Sequence, residues 1–347
     1  MQMTIQQKRG AAIGAAAIGA LLVARSWHRR DRYDFGGKSV LITGGSRGLG
    51  LVMARNLAAE GAKLTLVARD EEELDRAVKD IQSREPLAAV AGVSADIRRR
   101  YDAERAVAQA IDGYGRIDVL VNNAGIVQVG PLDHMTLSDY EDAMNTHFWG
   151  PLYAITAALP HMRREGEGRI VNISSIGAKI AIPHLVPYSA SKFALAGLSE
   201  GLRAELAGDN IIVTTVYPGL MRTGSPVQAM FKGKRPQEYA WFAISDSLPL
   251  ASIDAGRAAH QIINACRYGR AELIITAQAK LAVLAKDAAP ELFADVMAFI
   301  SGMLPLPVPG SEGDTARPGR ESESGWAARS ATLAARTYRA ARQNNEL

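Results

Sequence analysis

The sequence predicts a single α/β domain, a doubly wound sheet of seven parallel strands wrapped by helices, followed by a helical extension. Three observations predict it. Between Lys38 and Thr276 short apolar runs alternate with amphipathic segments, the pattern of strands joined by helical crossovers. The run 169–174 is apolar enough to be buried on both faces, as strands of a parallel sheet are. A glycine-rich turn, Thr43-Gly-Gly-Ser-Arg-Gly-Leu-Gly50, links the first apolar run to the first amphipathic one.

In order, strands are expected at 39–43, 63–68, 88–95, 117–122, 169–174, 211–216 and 272–276. The first helix runs from the glycine turn through Glu60, with Gly61 as its C-terminal stop. Further helices are expected near 71–83, 102–114, 137–164, 187–207 and 254–268. Three regions follow: 1–37, an apolar and basic leading segment; 38–276, the doubly wound domain; and 277–347, a helical extension. In the extension, 281–304 reads as a helix with an apolar side that packs on the domain or on a second subunit, ahead of a lid or a membrane-contacting surface. Residues 305–325 read as an exposed connector rich in Pro, Gly and charge, and 326–347 as a basic helix that docks weakly or stays mobile.

Composition limits the function classes. The formal charge is +4, but residues 1–32 hold six basic side chains against Asp31 alone, so the rest of the chain is slightly acidic and nucleic acid is not implied. The lone Cys266 excludes an intrachain disulfide framework and a cysteine-based zinc site. His28, His134, His161 and His260 lack ligand spacing, so no metal is assigned. Residues 10–24 carry no charge, although crossing a bilayer takes about 20 apolar residues. A membrane anchor through 10–24 ranks ahead of a plain extension and of a cleaved signal peptide. The arginines that follow would then keep the domain on the cytoplasmic side.

The chemistry concentrates at 174–192. Tyr188 and Lys192 lie one helical turn apart just after Pro187, a residue suited to a helix start, so both side chains share a face. Ser175, thirteen residues before the tyrosine, stands at the carboxyl end of the 169–174 strand, where open α/β sheets bind ligands. In the glycine turn, Gly44, Gly48 and Gly50 let the backbone bend sharply and approach a pyrophosphate. Ser46, Arg47 and Leu49 complete that cradle at the helix N-terminus. Nineteen residues after Gly50, where an acid would bind the ribose 2′-hydroxyl of NAD, stands Arg69, with Asp70 next. A guanidinium suits a 2′-phosphate and Arg47 offers a second, so NADP(H) is favoured over NAD(H), with Asp70 the alternative that would serve NAD.

These residues resemble the short-chain dehydrogenase/reductase family over about 38–276. The glycine turn, Asp96, Asn122-Asn123-Ala124-Gly125, Ser175, Tyr188-Ser-Ala-Ser-Lys192 and Tyr217-Pro218-Gly219 with Thr223 fall in family order and spacing. The resemblance implies a Rossmann-type fold, Asp96 at the adenine, Asn123 along the adenosine ribose, Thr223 at the nicotinamide amide, and a homodimer or tetramer. It also implies hydride transfer with Ser175 polarising a carbonyl, Tyr188 as general acid or base, and Lys192 binding ribose and, together with the positive nicotinamide, lowering the phenol pKa. The family's usual asparagine three residues before Gly150 is here His147, expected to end a proton relay behind Lys192. His184 is a candidate for the substrate pocket, with a solvent-exposed loop histidine as the alternative.

Substrate choice is expected in 220–250, where Met221, Val227, Met230, Phe231, Tyr239, Trp241, Phe242 and Ile244 suit a hydrophobic, lipid-like carbonyl or alcohol. Two alternatives to an NADP-dependent oxidoreductase are a cofactor-binding scaffold or redox sensor, and an epimerase or dehydratase on the same fold.

Overall fold

The computed structural model describes residues 32–247, 252–322 and 339–346. The anchor expected at 10–24 lies outside these residues, and no helix among the described residues is long and apolar enough to cross a membrane.

Seven strands form one sheet: β1 Ser39–Thr43, β2 Lys63–Ala68, β3 Val90–Ser94, β4 Val119–Asn122, β5 Gly168–Ile173, β6 Ile211–Tyr217 and β7 Glu272–Ile274. Their order is β3-β2-β1-β4-β5-β6-β7, and every neighbouring pair is parallel. The chain runs outward from β1 through β2 to β3, then returns to the other side of β1. This reversal opens a crevice at the carboxyl ends of β1 and β4, the usual ligand position in open α/β sheets.

Strand period decides the two cores. In β1, Val40 and Ile42 face one side and Leu41 the other; in β4, Val119 and Val121 oppose Leu120 in the same way. The first side is covered by α1 Gly48–Ala59, α2 Glu71–Arg84 and, from late in the chain, α8 Ala255–Arg267, through Leu51, Leu74 and Ile262. The second is covered by α3 Arg100–Tyr114 and α5 Gly150–Glu165, through Val107, Ile155 and Met162. Gly61 takes φ +79° just past α1, as its place after the helix requires.

The helix expected at 137–164 is interrupted. Helix α4 Leu137–Met144 passes through a π turn, Asn145–Trp149, before α5 begins. The π turn precedes Gly150, whose lack of a Cβ lets the helix press to within 2.4 Å of Ile97 Cδ1, measured from where that Cβ would stand. Beyond the π turn, α6 Val186–Glu205 carries Tyr188 and Lys192, and α7 Arg235–Ser247 lies over the site.

The expected 281–304 helix is instead a pair, α9 Ala277–Ala288 and α10 Pro290–Met303. Pro290 causes the break, because the residue before a proline disfavours helical backbone; Ala289 sits at φ −144°, ψ 70°. The packing expected for this region is not made within the described chain. Leu292 and Phe299 are 65% and 72% exposed, and α10 buries no residue.

The connector expected to be exposed is docked where it is described. Arg317–Pro318 pairs with Met230–Phe231, Asp314 meets His134 at 2.8 Å, and the Gly319 N–H donates to the Ala229 carbonyl at 2.8 Å. Glycine is required at 319, because a Cβ there would stand 1.9 Å from the Pro226 carbonyl oxygen.

Candidate active site

At the crevice the glycine turn is braced by its neighbours. The Thr43 hydroxyl accepts from the backbone N–H of Asn123 (3.0 Å) and Ala124 (3.1 Å), and the Asn123 side-chain amide donates to the carbonyls of Thr43 (3.1 Å) and Gly44 (3.0 Å). Gly44 takes φ +65°, and a Cβ on it would stand 2.8 Å from Ala124 Cα; on Gly50 a Cβ would meet the Gly44 carbonyl at 2.0 Å. The turn therefore folds tightly onto the ends of β1 and β4, and α1 starts with its N-terminus at the crevice. Such an end attracts anions.

From there a cavity of about 830 Å³ runs along the strand ends. Its lining includes the glycine turn, Arg69, Ser175, Tyr188, Lys192 and Phe242. Arg69 is exposed and lines it. Asp70, the alternative ribose acid, is engaged as the N-cap of α2, accepting from the Glu73 N–H at 2.9 Å. Arg47 is already paired: its guanidinium lies 2.9 Å from Glu73 and 3.5 Å from Glu346. Asp96 lies against the Arg98 guanidinium, at 2.7 Å at its closest. Burial opposes its ionisation, but the hydrogen bonds and charge of Arg98 outweigh this and hold its carboxyl below the ordinary range.

Sequence reasoning missed several cavity-lining residues, among them Glu73, Arg98, Arg320 and Glu346. Arg98 stands two positions after Asp96 and could have been read as its partner. Arg320 and Glu346 arrive from the distant extension with no local signal.

In the cavity, Ser175 ends the β5 segment and caps the short helical turn at 176–178, its oxygen accepting from the Gly177 N–H at 3.0 Å. It also hydrogen-bonds to the Tyr188 hydroxyl. Ser174 is turned inward, donating to the Lys192 carbonyl at 2.9 Å, which leaves Ser175 as the hydroxyl beside the phenol. Lys192 is buried; its ammonium donates to the Ile173 carbonyl at 2.9 Å and stands 5.7 Å from the Tyr188 ring centroid. Burial lowers its pKa to about 7.

The lowering of the phenol pKa is expected from Lys192 together with the positive nicotinamide, and the protein's own groups on balance act in the other direction. Burial raises the Tyr188 pKa above 10, and the Ser175 hydrogen bond offsets this only in part.

His147 is fully buried beside Tyr188, with ring centroids 5.4 Å apart. Its Nε2 accepts from the Ile126 N–H (3.1 Å), so the proton belongs on Nδ1, which faces the Ser191 hydroxyl at 2.7 Å; that hydroxyl donates to the Tyr188 carbonyl at 2.8 Å. Burial and then the Lys192 charge hold the imidazole pKa well below 6.5. Both ring nitrogens are thus engaged within the protein, and the ring is neutral.

Apolar side chains also line the cavity, among them Val127, Ile182, Leu185, Met221 and Phe242. Of the apolar residues expected to select substrate, only Met221 and Phe242 line it. Val227, Phe231 and Tyr239 are buried in packing instead, with Phe231 and Tyr239 in an aromatic cluster with Phe242. His184 neither lines the cavity nor faces solvent. At φ +62° it turns its imidazole onto the buried Glu238 carboxylate (3.0 Å), which also accepts from the Trp241 indole (2.7 Å). Its role is to tie the 182–185 loop to α7. Thr223 lines the cavity with its hydroxyl accepting from the Ser225 N–H at 3.2 Å.

Comparison with known proteins agrees with this geometry. The short chain dehydrogenase family model matches residues 38–231. An 11-beta-hydroxysteroid dehydrogenase-like 4A protein of Arabidopsis thaliana is 40% identical over 190 residues, 54% of this chain and 62% of that protein. The 3-ketodihydrosphingosine reductase of Mus musculus is 36% identical over 185 residues, 52% of this chain and 56% of that one. The chain thus spans about three fifths of the length of these relatives. Among solved structures, L-sorbose reductase from Gluconobacter frateurii, complexed with NADPH and L-sorbose, superposes with a TM-score of 0.63 at 25% identity, covering 70% of this chain and 97% of that one.

Proposed function

Because the chain belongs to the short-chain dehydrogenase family, we propose that it is an NADP-dependent oxidoreductase interconverting a carbonyl and an alcohol on a hydrophobic small molecule. One observation carries this reading: Ser175, Tyr188 and Lys192 line the same cavity as the glycine turn and a set of apolar side chains. The residues fit a dinucleotide, since the turn is built from glycines at positions where a Cβ would collide and α1 opens onto the same cavity. Gly44, Ser46, Gly48, Leu49 and Gly50 would hold the pyrophosphate, Asp96 and Asn123 the adenosine half, and Thr223 the nicotinamide amide. Arg69 would meet the 2′-phosphate, while Asp70 beside it caps α2. NADPH, when bound, supplies the hydride.

The protein's own residues handle the proton. Ser175 donates a hydrogen bond to the substrate oxygen, strengthening as charge develops there, and Tyr188 passes its phenolic proton to that oxygen. A tyrosine whose pKa is raised by burial holds its proton and is a competent acid for a forming alkoxide. Lys192, held by the Ile173 carbonyl, orients the site and returns charge beside the phenol once it is ionised. His147 is a positioning residue rather than the end of a relay, because both its nitrogens are taken; it fixes Ser191 and, through it, the start of α6 under Tyr188.

The apolar side chains that line the cavity support a lipid-like substrate. The exposed faces of α9 and α10, together with the uncharged sequence 10–24, support a membrane-associated, cytoplasm-facing enzyme that assembles as a homo-oligomer. The test is NADPH oxidation followed at 340 nm with a panel of hydrophobic ketones. Turnover with NADPH over NADH and with long-chain over short ketones is expected, and a preference for small polar ketones would refute the substrate class.

A further inference from the structure

Residues 339–346 return to the glycine turn from the far end of the sequence and engage the groups that a dinucleotide requires. The Gly48 N–H, at the start of α1, donates to the Asn344 carbonyl at 2.8 Å. The Asn345 amide donates to the carbonyls of Ser46 (2.9 Å) and Glu73 (3.1 Å), and the Asn344 amide to that of Thr223 (3.2 Å). Arg55 and Gln228 hold the segment from either side, donating to the carbonyls of Gln343 (2.9 Å) and Glu346 (2.6 Å). The Glu346 side chain, 6% exposed, lines the cavity; its carboxylate lies 3.5 Å from Arg47 Nε and 2.6 Å from where a Cβ on Gly48 would stand.

A carbonyl and a carboxylate therefore stand where an anion meets the N-terminus of α1. A pyrophosphate approaching the same turn meets an amide already engaged and finds the space over Gly48 filled by the Glu346 side chain. The two arrangements exclude each other.

We propose that the 343–346 segment is an intramolecular ligand of the dinucleotide site, so that the cofactor binds only when the segment withdraws. The inference rests on the reading of this cavity as a dinucleotide site and adds a regulator to it. A docked segment lowers apparent cofactor affinity by the fraction of molecules in which it is released. Titration supports the idea. The charged groups facing Glu346 are Arg47 on the turn and Glu73 on α2; burial raises its carboxyl pKa to about 7, with Arg47 opposing and Glu73 adding to the rise. The docked carboxyl keeps a proton that the released one loses above about pH 4.5, so docking weakens as pH rises from about 4.5 through about 7.

NADPH fluorescence titrations of the full chain, of Glu346→Gln and of a chain ending after Arg342 test this at pH 6 and pH 8. The shortened chain is expected to bind NADPH about tenfold tighter or more, while Glu346→Gln, which mimics the protonated docked carboxyl, should bind no tighter than the full chain and lose its pH dependence. The ratio between full and shortened chains should be larger at pH 6. A synthetic 339–347 peptide added to the shortened chain should weaken NADPH binding competitively, without changing the signal at saturation. Equal or weaker NADPH binding by a shortened chain that melts like the full one would overturn the proposal and make the segment a clasp or plain packing. Failure of all three chains to bind NADPH would overturn the dinucleotide reading itself, and this inference with it.

Discussion

Tyr188→Phe is expected to lower kcat/KM for ketone reduction by about 10²–10⁴-fold, the usual contribution of a positioned general acid, with NADPH affinity kept within about twofold. The two readouts separate because the substitution removes one oxygen and keeps the ring. The ring packs edge-on to His147 with centroids 5.4 Å apart, and its Cε1 lies 3.3 Å from where a Cβ on Gly177 would stand, so a phenylalanine fits the same place. What is lost is the proton donor beside Ser175. Steady-state kinetics with parallel fluorescence titration checks this, and a kcat/KM within tenfold of the parent would remove Tyr188 from the chemistry.

Arg69→Ala is expected to weaken NADPH binding by about 10- to 100-fold and leave NADH binding within about twofold. Hydrogen bonds to charged groups contribute about 1.5–3 kcal/mol, which converts to that range. Arg69 is the guanidinium to test because it lines the cavity, whereas Arg47 is held by Glu73 and Glu346 and Arg98 by Asp96. The affinity lost should also shrink as salt is raised, since Arg69 is exposed and screened. An equal loss for both cofactors would mean that Arg69 does not read the 2′-phosphate.

Much of this was legible in the sequence because local patterns carry it. The strands of the sheet are short apolar runs, and the glycine turn, Ser175, Tyr188 and Lys192 each sit at a strand end or a helix start that the residues themselves announce. Pro290 could have been read as a break, and was hidden by the apolar run around it. The π turn at Asn145–Trp149 was not legible, since it changes hydrogen bonding rather than residue type. Long-range partners were also hidden. Glu346 meets Arg47 across about 300 residues, and His184 was drawn from the substrate pocket to Glu238 by a contact 54 positions away. Lys192 shows a further limit: one turn of helix places it near Tyr188, but its own burial lowers its pKa to about 7 and weakens the charge that was expected to act on the phenol.

The most direct test of the central claim is isotope transfer from the nicotinamide. NADPH carrying deuterium at the transferable C4 position is incubated with the protein and a hydrophobic ketone, and the product is examined by mass spectrometry and NMR. The account predicts one deuterium on the new carbinol carbon for each NADPH oxidised, with transfer lost in Tyr188→Phe. Tight NADPH binding with no transfer to any ketone tried would favour a scaffold or sensor. Turnover that leaves the NADPH unoxidised, as in epimerisation or dehydration, would contradict net carbonyl reduction.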